Sequence, residues 1–139
     1  IKPVSDYDGK FSVQFVTAAC LVLGRFGLAE LEQDTLTNAA ILNLAARVSY
    51  AADPDTTYPK YFSGGVIIKT RDGRTLKHHE PVNRGAGERA LSGDDISKKY
   101  RENAAMALPA RRVEQVRDAV LNVETMSARE FLAVLTNKG

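Results

Sequence analysis

Five features of this 139-residue chain carry residue types that could do chemistry: the adjacent pair His78 and His79, the glycine-rich run Gly85 to Ala90, Cys20, Lys10 and Arg84. Histidine is the commonest metal ligand and titrates near neutrality, so the pair is the first candidate. Its spacing speaks against a shared ion, because adjacent residues on a strand point to opposite faces and neither H-x-x-x-H nor C-x-x-C supplies further ligands. No metal site is expected. The run Gly85-Ala86-Gly87-Glu88-Arg89-Ala90 spells G-x-G-x-x-A, yet a dinucleotide loop needs a buried strand leading in and a helix starting at the glycines. Here Glu80, Pro81, Asn83 and Arg84 lead in, and Ser92 caps a later helix, so the run reads as a connector. Cys20 sits among aliphatic residues with no neighbour that would lower its pKa, which reads as a packed small hydrophobe rather than a nucleophile. Lys10 and Arg84 remain as cations able to face a carboxylate or another anion, against the simpler reading of solvated side chains.

The elements that must position these residues follow from periodicity. Residues 9–27, GKFSVQFVTAACLVLGRFG, predict a helix with Phe11, Phe15, Ala18 and Val22 on one face and Gly24 or Gly27 to stop it. Val13, Val16, Cys20, Leu21 and Leu23 make the other face apolar too, so burial all round or docking against a further domain is expected. LTNAAILNLAARVSY starts as a helix with Thr37 as cap, and 47–51 alternates as a short strand carrying Val48 and Tyr50 inward. After a Pro-punctuated loop, GVIIKTRDGRTLKHH predicts a hairpin around a two-residue Asp72-Gly73 turn. That register places His79 with Val66, Ile68 and Lys77, and His78 with Ile67, Lys69 and Leu76.

Three C-terminal helices complete the reading. Ser92 and Asp95 form a capping box before Ile96, Tyr100 and Ala104; Pro109 opens a stripe of Val113, Val116, Val120 and Val123; Ser127 and Glu130 form a second box. Helices, a hairpin and one more strand predict an α+β fold: a two-layer sandwich of a small, mainly antiparallel sheet with packed helices, in a single domain over 1–139.

Composition narrows the function classes. Nineteen basic residues against 17 acidic ones, with a formal net charge of +2, give no obligatory nucleic-acid or anionic-membrane partner. The basic set Lys69, Arg71, Arg74 and Lys77 around the hairpin tip has no interleaved aromatics for base stacking and reads as a soluble edge. The apolar stretch Phe15 to Gly24 is about half the roughly 20 residues a spanning helix needs, so no membrane partner is expected. One cysteine suits a cytoplasmic location. The opening on Ile1 suggests a piece of a longer polypeptide.

DGKFSVQFVTAACLVLG, VIIKTRDGRTLKHH and RGAGERALSGDDISKKYRENAA, in that order, resemble the C-terminal part of the MmgE/PrpD family. The first resembles the family's "aKFS-x-x-Y-x-x-A" segment through Lys10, Phe11, Ser12, Phe15 and Ala18, and the second its "V-x-l-x-DGr" hairpin through Val66, Asp72, Gly73 and Arg74. The third resembles the "G-x-x-x-Pls-x-e-x-x-x-KF-x-x-Na" run through Gly85, Leu91, Ser92, Asp95, Lys99, Tyr100, Asn103 and Ala104. Ala90, Phe15 and Tyr100 depart from the usual Pro, Tyr and Phe. The family includes 2-methylcitrate dehydratase of propionate catabolism, cis-aconitate decarboxylase and iminodisuccinate epimerase.

The resemblance implies a small α+β domain that completes a cleft with a helical N-terminal domain absent from this chain, usually in a homodimer. It implies a metal-independent lyase or isomerase acting on small di- or tricarboxylates without any cofactor, with the proton-transfer residues outside this chain. No catalytic residue is then expected here, the chain alone should be inactive, and Lys10 and Arg84 are the candidates for substrate binding at the cleft. A stand-alone, non-catalytic protein-interaction module is the alternative.

Overall fold

A computed structural model describes residues 2–136, and its class is α+β: helices plus one two-stranded antiparallel sheet. Contacts divide the chain into two compact units, Ile1–Ala52 and Asp53–Gly139.

The first unit is helical. The expected long helix is broken at Ser12 into α1 (Asp6–Phe11) and α2 (Val13–Leu23), because the Ser12 hydroxyl leaves the helical path to accept from the Phe15 N–H as the N-cap of α2. Gly24 ends α2 at φ 72°, a left-handed conformation that glycine adopts without steric cost. A 3₁₀ turn (Ala29–Leu31), α3 (Gln33–Leu36) and α4 (Ala39–Ala45) follow. The cap of α4 is Asn38, whose side chain accepts from the Ala40 and Ile41 N–H groups. Thr37, expected in that role, closes α3 and donates to the Gln33 carbonyl.

Phe15, Ala18, Ala19, Leu36, Ile41 and Ala45 form the core of this unit, with Phe15 and Ile41 fully buried. Burying side chains of that size is worth about 1.5–3 kcal/mol each. The Phe15 ring meets Phe26 edge to face at 6.2 Å between centroids. The predicted buried stripe therefore holds at Phe15 and Ala18 but not at its ends: Phe11 is 67% exposed, because it lies on α1 beyond the break, and Val22 also faces solvent. Val13, Leu21 and Leu23 are exposed as well, so within this chain α2 is buried on one side only.

Residues 47–51 form no strand. The Arg47 and Val48 N–H groups turn back to the Leu44 and Ala45 carbonyls, extending the end of α4, and Tyr50 is left exposed.

The second unit holds the hairpin of β1 (Gly64–Lys69) and β2 (Thr75–Glu80), then α5 (Gly93–Ala104), α6 (Ala110–Leu121) and α7 (Ala128–Thr136). The strands pair as Gly65 with His79, Val66 with His78, Ile67 with Lys77 and Lys69 with Thr75. This is one residue off the predicted register. The turn is not a two-residue Asp-Gly loop: the Gly73 N–H reaches the Thr70 carbonyl, the Thr70 N–H reaches the Arg74 carbonyl, and the positive φ falls on Gly73 alone, at 86°. That is a three-residue loop with a glycine bulge. Thr70 and Arg74 both bond the Asp72 carboxylate and hold Asp72 in an ordinary conformation. The slip exchanges the faces: His79 joins Gly65, Ile67 and Lys77, and His78 joins Val66, Ile68 and Leu76.

The helices of this unit follow their caps. Ser92 and Asp95 form the expected capping box, and Ser127 and Glu130 form another. Tyr100 donates its hydroxyl to the Val113 carbonyl at 3.0 Å, and Arg101 grips Glu114 through two nitrogens at 2.7 and 3.0 Å, tying α5 to α6. The buried stripe of α6 runs through Val113 and Ala119, while Val120 is exposed. No helix among the described residues is long and apolar enough to cross a membrane.

Candidate functional site

The sequence places its cations in different units, and each is described within its own. Lys10 sits in the last turn of α1, where its ammonium lies 5.0 Å from the Tyr7 ring centroid and 5.5 Å from that of Phe11. The two rings are themselves 4.8 Å apart, so they hold the cation over their electron-rich faces. Both rings also line an open cleft of about 490 Å³, with Lys2, Asp8, Ser12, Gln14 and Tyr50 around it. Its wall is mixed: aromatic rings for apolar contact, amide and hydroxyl groups for hydrogen bonds, the Lys2 ammonium and the Asp8 carboxylate for charge, while Lys10 is not part of the lining and lies against the Tyr7 and Phe11 rings. A ligand of a few carbons with both apolar and polar groups matches that inventory.

Local sequence explains why the cleft exists. Ser5 caps α1 by accepting from the Asp8 N–H, and Ser12 breaks α1 from α2. Gly9 faces inward, where an added Cβ would stand 2.7 Å from a Leu36 methyl carbon, so α1 lies tight against α3 and presents Tyr7 and Phe11 outward. Sequence reading singled out Lys10, which lies beside the cleft's aromatic rings, and did not single out Tyr7, Ser12, Gln14 and Tyr50, which line the cleft. Ser12 was the signal available, as a capping residue inside an otherwise continuous apolar pattern.

Arg84 is engaged. Its Nη2 donates to Asp95, the acid that also accepts from the Ser92 hydroxyl and N–H. The Ser92 bonds, then Arg84, hold the Asp95 carboxyl below its ordinary value. Arg84 thus ties the connector to the N-terminus of α5. Arg89 is engaged similarly, with Glu80 and the Val82 carbonyl. The glycine run itself is a turn: Gly85 and Gly87 take positive φ, a 3₁₀ segment follows, and α5 starts only at Gly93.

The histidines point apart, as their adjacency requires. The His78 Nε2 meets Glu80 at 2.7 Å, and the His79 Nε2 meets Asp53 at 3.0 Å. Asp53 also accepts from the Ser63 hydroxyl at 2.9 Å. These bonds, led by that of His79, hold the Asp53 carboxyl below the usual aspartate value. Among the described residues no group of three His, Cys, Asp or Glu side chains could hold a metal. Cys20 corrects one expectation: it is exposed rather than packed. Its thiol is pushed up by partial desolvation and then by Glu30, which favours the protonated form.

Glu30 is the buried charge that periodicity could not find. It is 5% exposed, and its carboxylate accepts from the Arg25 Nε at 2.7 Å and the Gly27 N–H at 2.8 Å. That pairing satisfies the charge and pins the turn after α2, which is a structural duty.

A sequence model of the MmgE/PrpD C-terminal domain matches residues 2–125. The cis-aconitate decarboxylase-like protein oryM of Aspergillus oryzae is 22% identical over 139 residues, covering 99% of this chain and 29% of that protein. The cis-aconitate decarboxylases of Homo sapiens and Mus musculus are 24% and 26% identical, each covering 96% of this chain and 28% and 27% of those proteins. The chain therefore spans less than a third of the length of these curated relatives.

Proposed function

The chain belongs to the MmgE/PrpD family as its C-terminal domain, and from that premise we propose that it supplies one wall of a binding cleft for a small di- or tricarboxylate in a metal-independent lyase or isomerase. The observation that carries this reading is the near-complete coverage of the chain by alignments to cis-aconitate decarboxylases. Decarboxylation of cis-aconitate is accordingly the first reaction to assay, with dehydration of 2-methylcitrate and epimerisation as the other chemistries of the resemblance.

In this reading the cleft beside α1 binds and does not react. The carbanion left when a carboxylate departs as CO₂, or when a base removes the proton beside one, is stabilised by fixed positive charge and by hydrogen-bond donors. Lys2 supplies positive charge in the cleft wall, Lys10 adds charge from behind the Tyr7 and Phe11 rings, and Ser12 and Gln14 supply polar groups. The base and the proton donor come from the remainder of the polypeptide, whose helical domain closes the cleft, and two copies pair as a homodimer in the cytoplasm. Lys10 is the stronger substrate-binding candidate, because a substrate reaching Arg84 must compete with Asp95.

The test compares the 139-residue chain with the polypeptide extended to its relatives' full length, each supplied with cis-aconitate or 2-methylcitrate. Turnover is expected only from the extended protein, and robust turnover by the short chain overturns the reading. In the extended protein, Lys10→Ala should raise KM by about tenfold, the loss of roughly 1.4 kcal/mol of binding. Unchanged kinetics would remove Lys10 as a substrate-binding residue.

A further inference from the structure

The hairpin carries lysines that no carboxylate among the described residues of its unit pairs with. On one face of β1 and β2, Lys69 stands opposite Thr75 and Lys77 opposite Ile67, so the two lysines are diagonal neighbours on the same side. Diagonal pairs in an antiparallel sheet lie about 7–8 Å apart, close enough for like charges to repel. Among the described residues Lys69, Arg71 and Lys77 make no ion pair. The hairpin's own carboxylate, Asp72, is occupied by Thr70 and Arg74, and Asp53 is occupied by His79 and Ser63. Between the lysines Ile67 is 65% exposed.

An isolated two-stranded hairpin is marginally stable in water, and a bare isoleucine flanked by two unpaired ammoniums adds unfavourable terms on both counts. We propose that this face is a docking surface for an extended, acidic segment of another protein chain, in which carboxylates alternate with solvent-facing residues and an apolar side chain meets Ile67. Two chemical observations favour protein over nucleic acid as the occupant. The face offers an aliphatic centre, and the strands carry no Phe, Tyr or Trp ring for base stacking, the nearest ring being that of His79, whose Nε2 is engaged by Asp53. The geometry also fits a strand: residues two apart on an extended chain repeat at about 6.6 Å, near the spacing of the lysine pair.

The experiment uses the 139-residue chain and fluorescence anisotropy with three labelled probes: a ten-residue peptide alternating Glu and Val, its Lys and Val counterpart, and a twenty-nucleotide oligothymidine. The Glu and Val peptide is expected to bind, the Lys and Val peptide is not, and oligothymidine should bind at least fivefold more weakly than the acidic peptide. The double substitution Lys69→Glu with Lys77→Glu should weaken the acidic peptide at least tenfold while leaving the far-ultraviolet circular dichroism unchanged. Lys69→Gln with Lys77→Gln provides a milder pair if charge reversal disturbs folding, and Ile67→Thr should weaken the peptide without altering its salt dependence. No binding of the acidic peptide, binding indifferent to both lysine pairs, or oligothymidine binding as tightly as the peptide would each overturn the proposal.

Discussion

Phe15 and Ile41 are sealed from solvent in the helical unit, whereas the hairpin of the second unit keeps Val66, Ile67 and Leu76 in water. The first unit is organised by a contiguous apolar cluster. The second is organised by directional bonds: Asp53 to Ser63 and His79, Asn83 to the Phe62 N–H, Arg101 to Glu114, and the two capping boxes. Burial is insensitive to the details of partner geometry, and exposed polar ties are not. The contrast teaches where each unit can be damaged. A cavity should harm the first far more than any single surface bond harms the second, because exposed ion pairs contribute little each.

The sharpest way to break that contrast is Phe15→Ala. Removing a fully buried ring should cost about 3–5 kcal/mol and unfold the helical unit first. Chemical denaturation followed by circular dichroism measures it, and a loss below 1 kcal/mol would mean the cluster around Phe15 is not what holds the unit. Glu30→Ala comes next. It removes the carboxylate that accepts from the Arg25 Nε and the Gly27 N–H, and hydrogen bonds to charged groups are worth about 1.5–3 kcal/mol. A loss of about 2 kcal/mol in the same titration would show that even the apolar unit depends on one polar anchor.

Acid titration of the second unit gives the smallest effect. The Asp53 carboxyl is held below its ordinary value by His79 and Ser63, so its contribution is complete above the unfolded value of about 3.9 and is lost as pH falls through the lower, folded value. Melting temperatures between about pH 5 and pH 2 should therefore fall less steeply in Asp53→Asn than in the parent chain. Identical slopes would show that the bond to His79 holds nothing in place.

Much of the local structure was legible. Both capping boxes, the hairpin strands and the glycine end of α2 are written in residue types with narrow conformational preferences. The break at Ser12 and the cap at Asn38 were harder, because Ser and Asn also fit helix interiors or turns and the choice depends on which N–H groups lie within reach. The hairpin register was not legible for a specific reason. Asp-Gly serves both a two-residue turn and a three-residue loop, and the Thr70 and Arg74 bonds to Asp72 decide between them. With both faces of the sheet wet, no hydrophobic alternation could correct the error.

The candidate site divides the same way. Lys10 was visible as a cation at the start of an apolar segment, but it stands outside the cleft lining, and what the motif order that includes it did point to is the family. Tyr7 and Tyr50 were not visible, because they are far apart in sequence and only the packing of the first unit lines one cleft with both. The exposed cysteine was equally hidden, since an apolar residue on a helix apolar all round carries no periodic mark of which side is buried.

By itself the sequence determined the two capping boxes, the mixed helix and hairpin class and the family they compose, because each of these follows from local propensity and from motifs read in order. Only the tertiary structure decided which face of α2 is buried, which face of β2 carries each histidine, and that Arg84 is spent on Asp95 while Lys10 lies against the Tyr7 and Phe11 rings. Those outcomes depend on contacts between residues distant in the chain, and such contacts leave no local pattern to read.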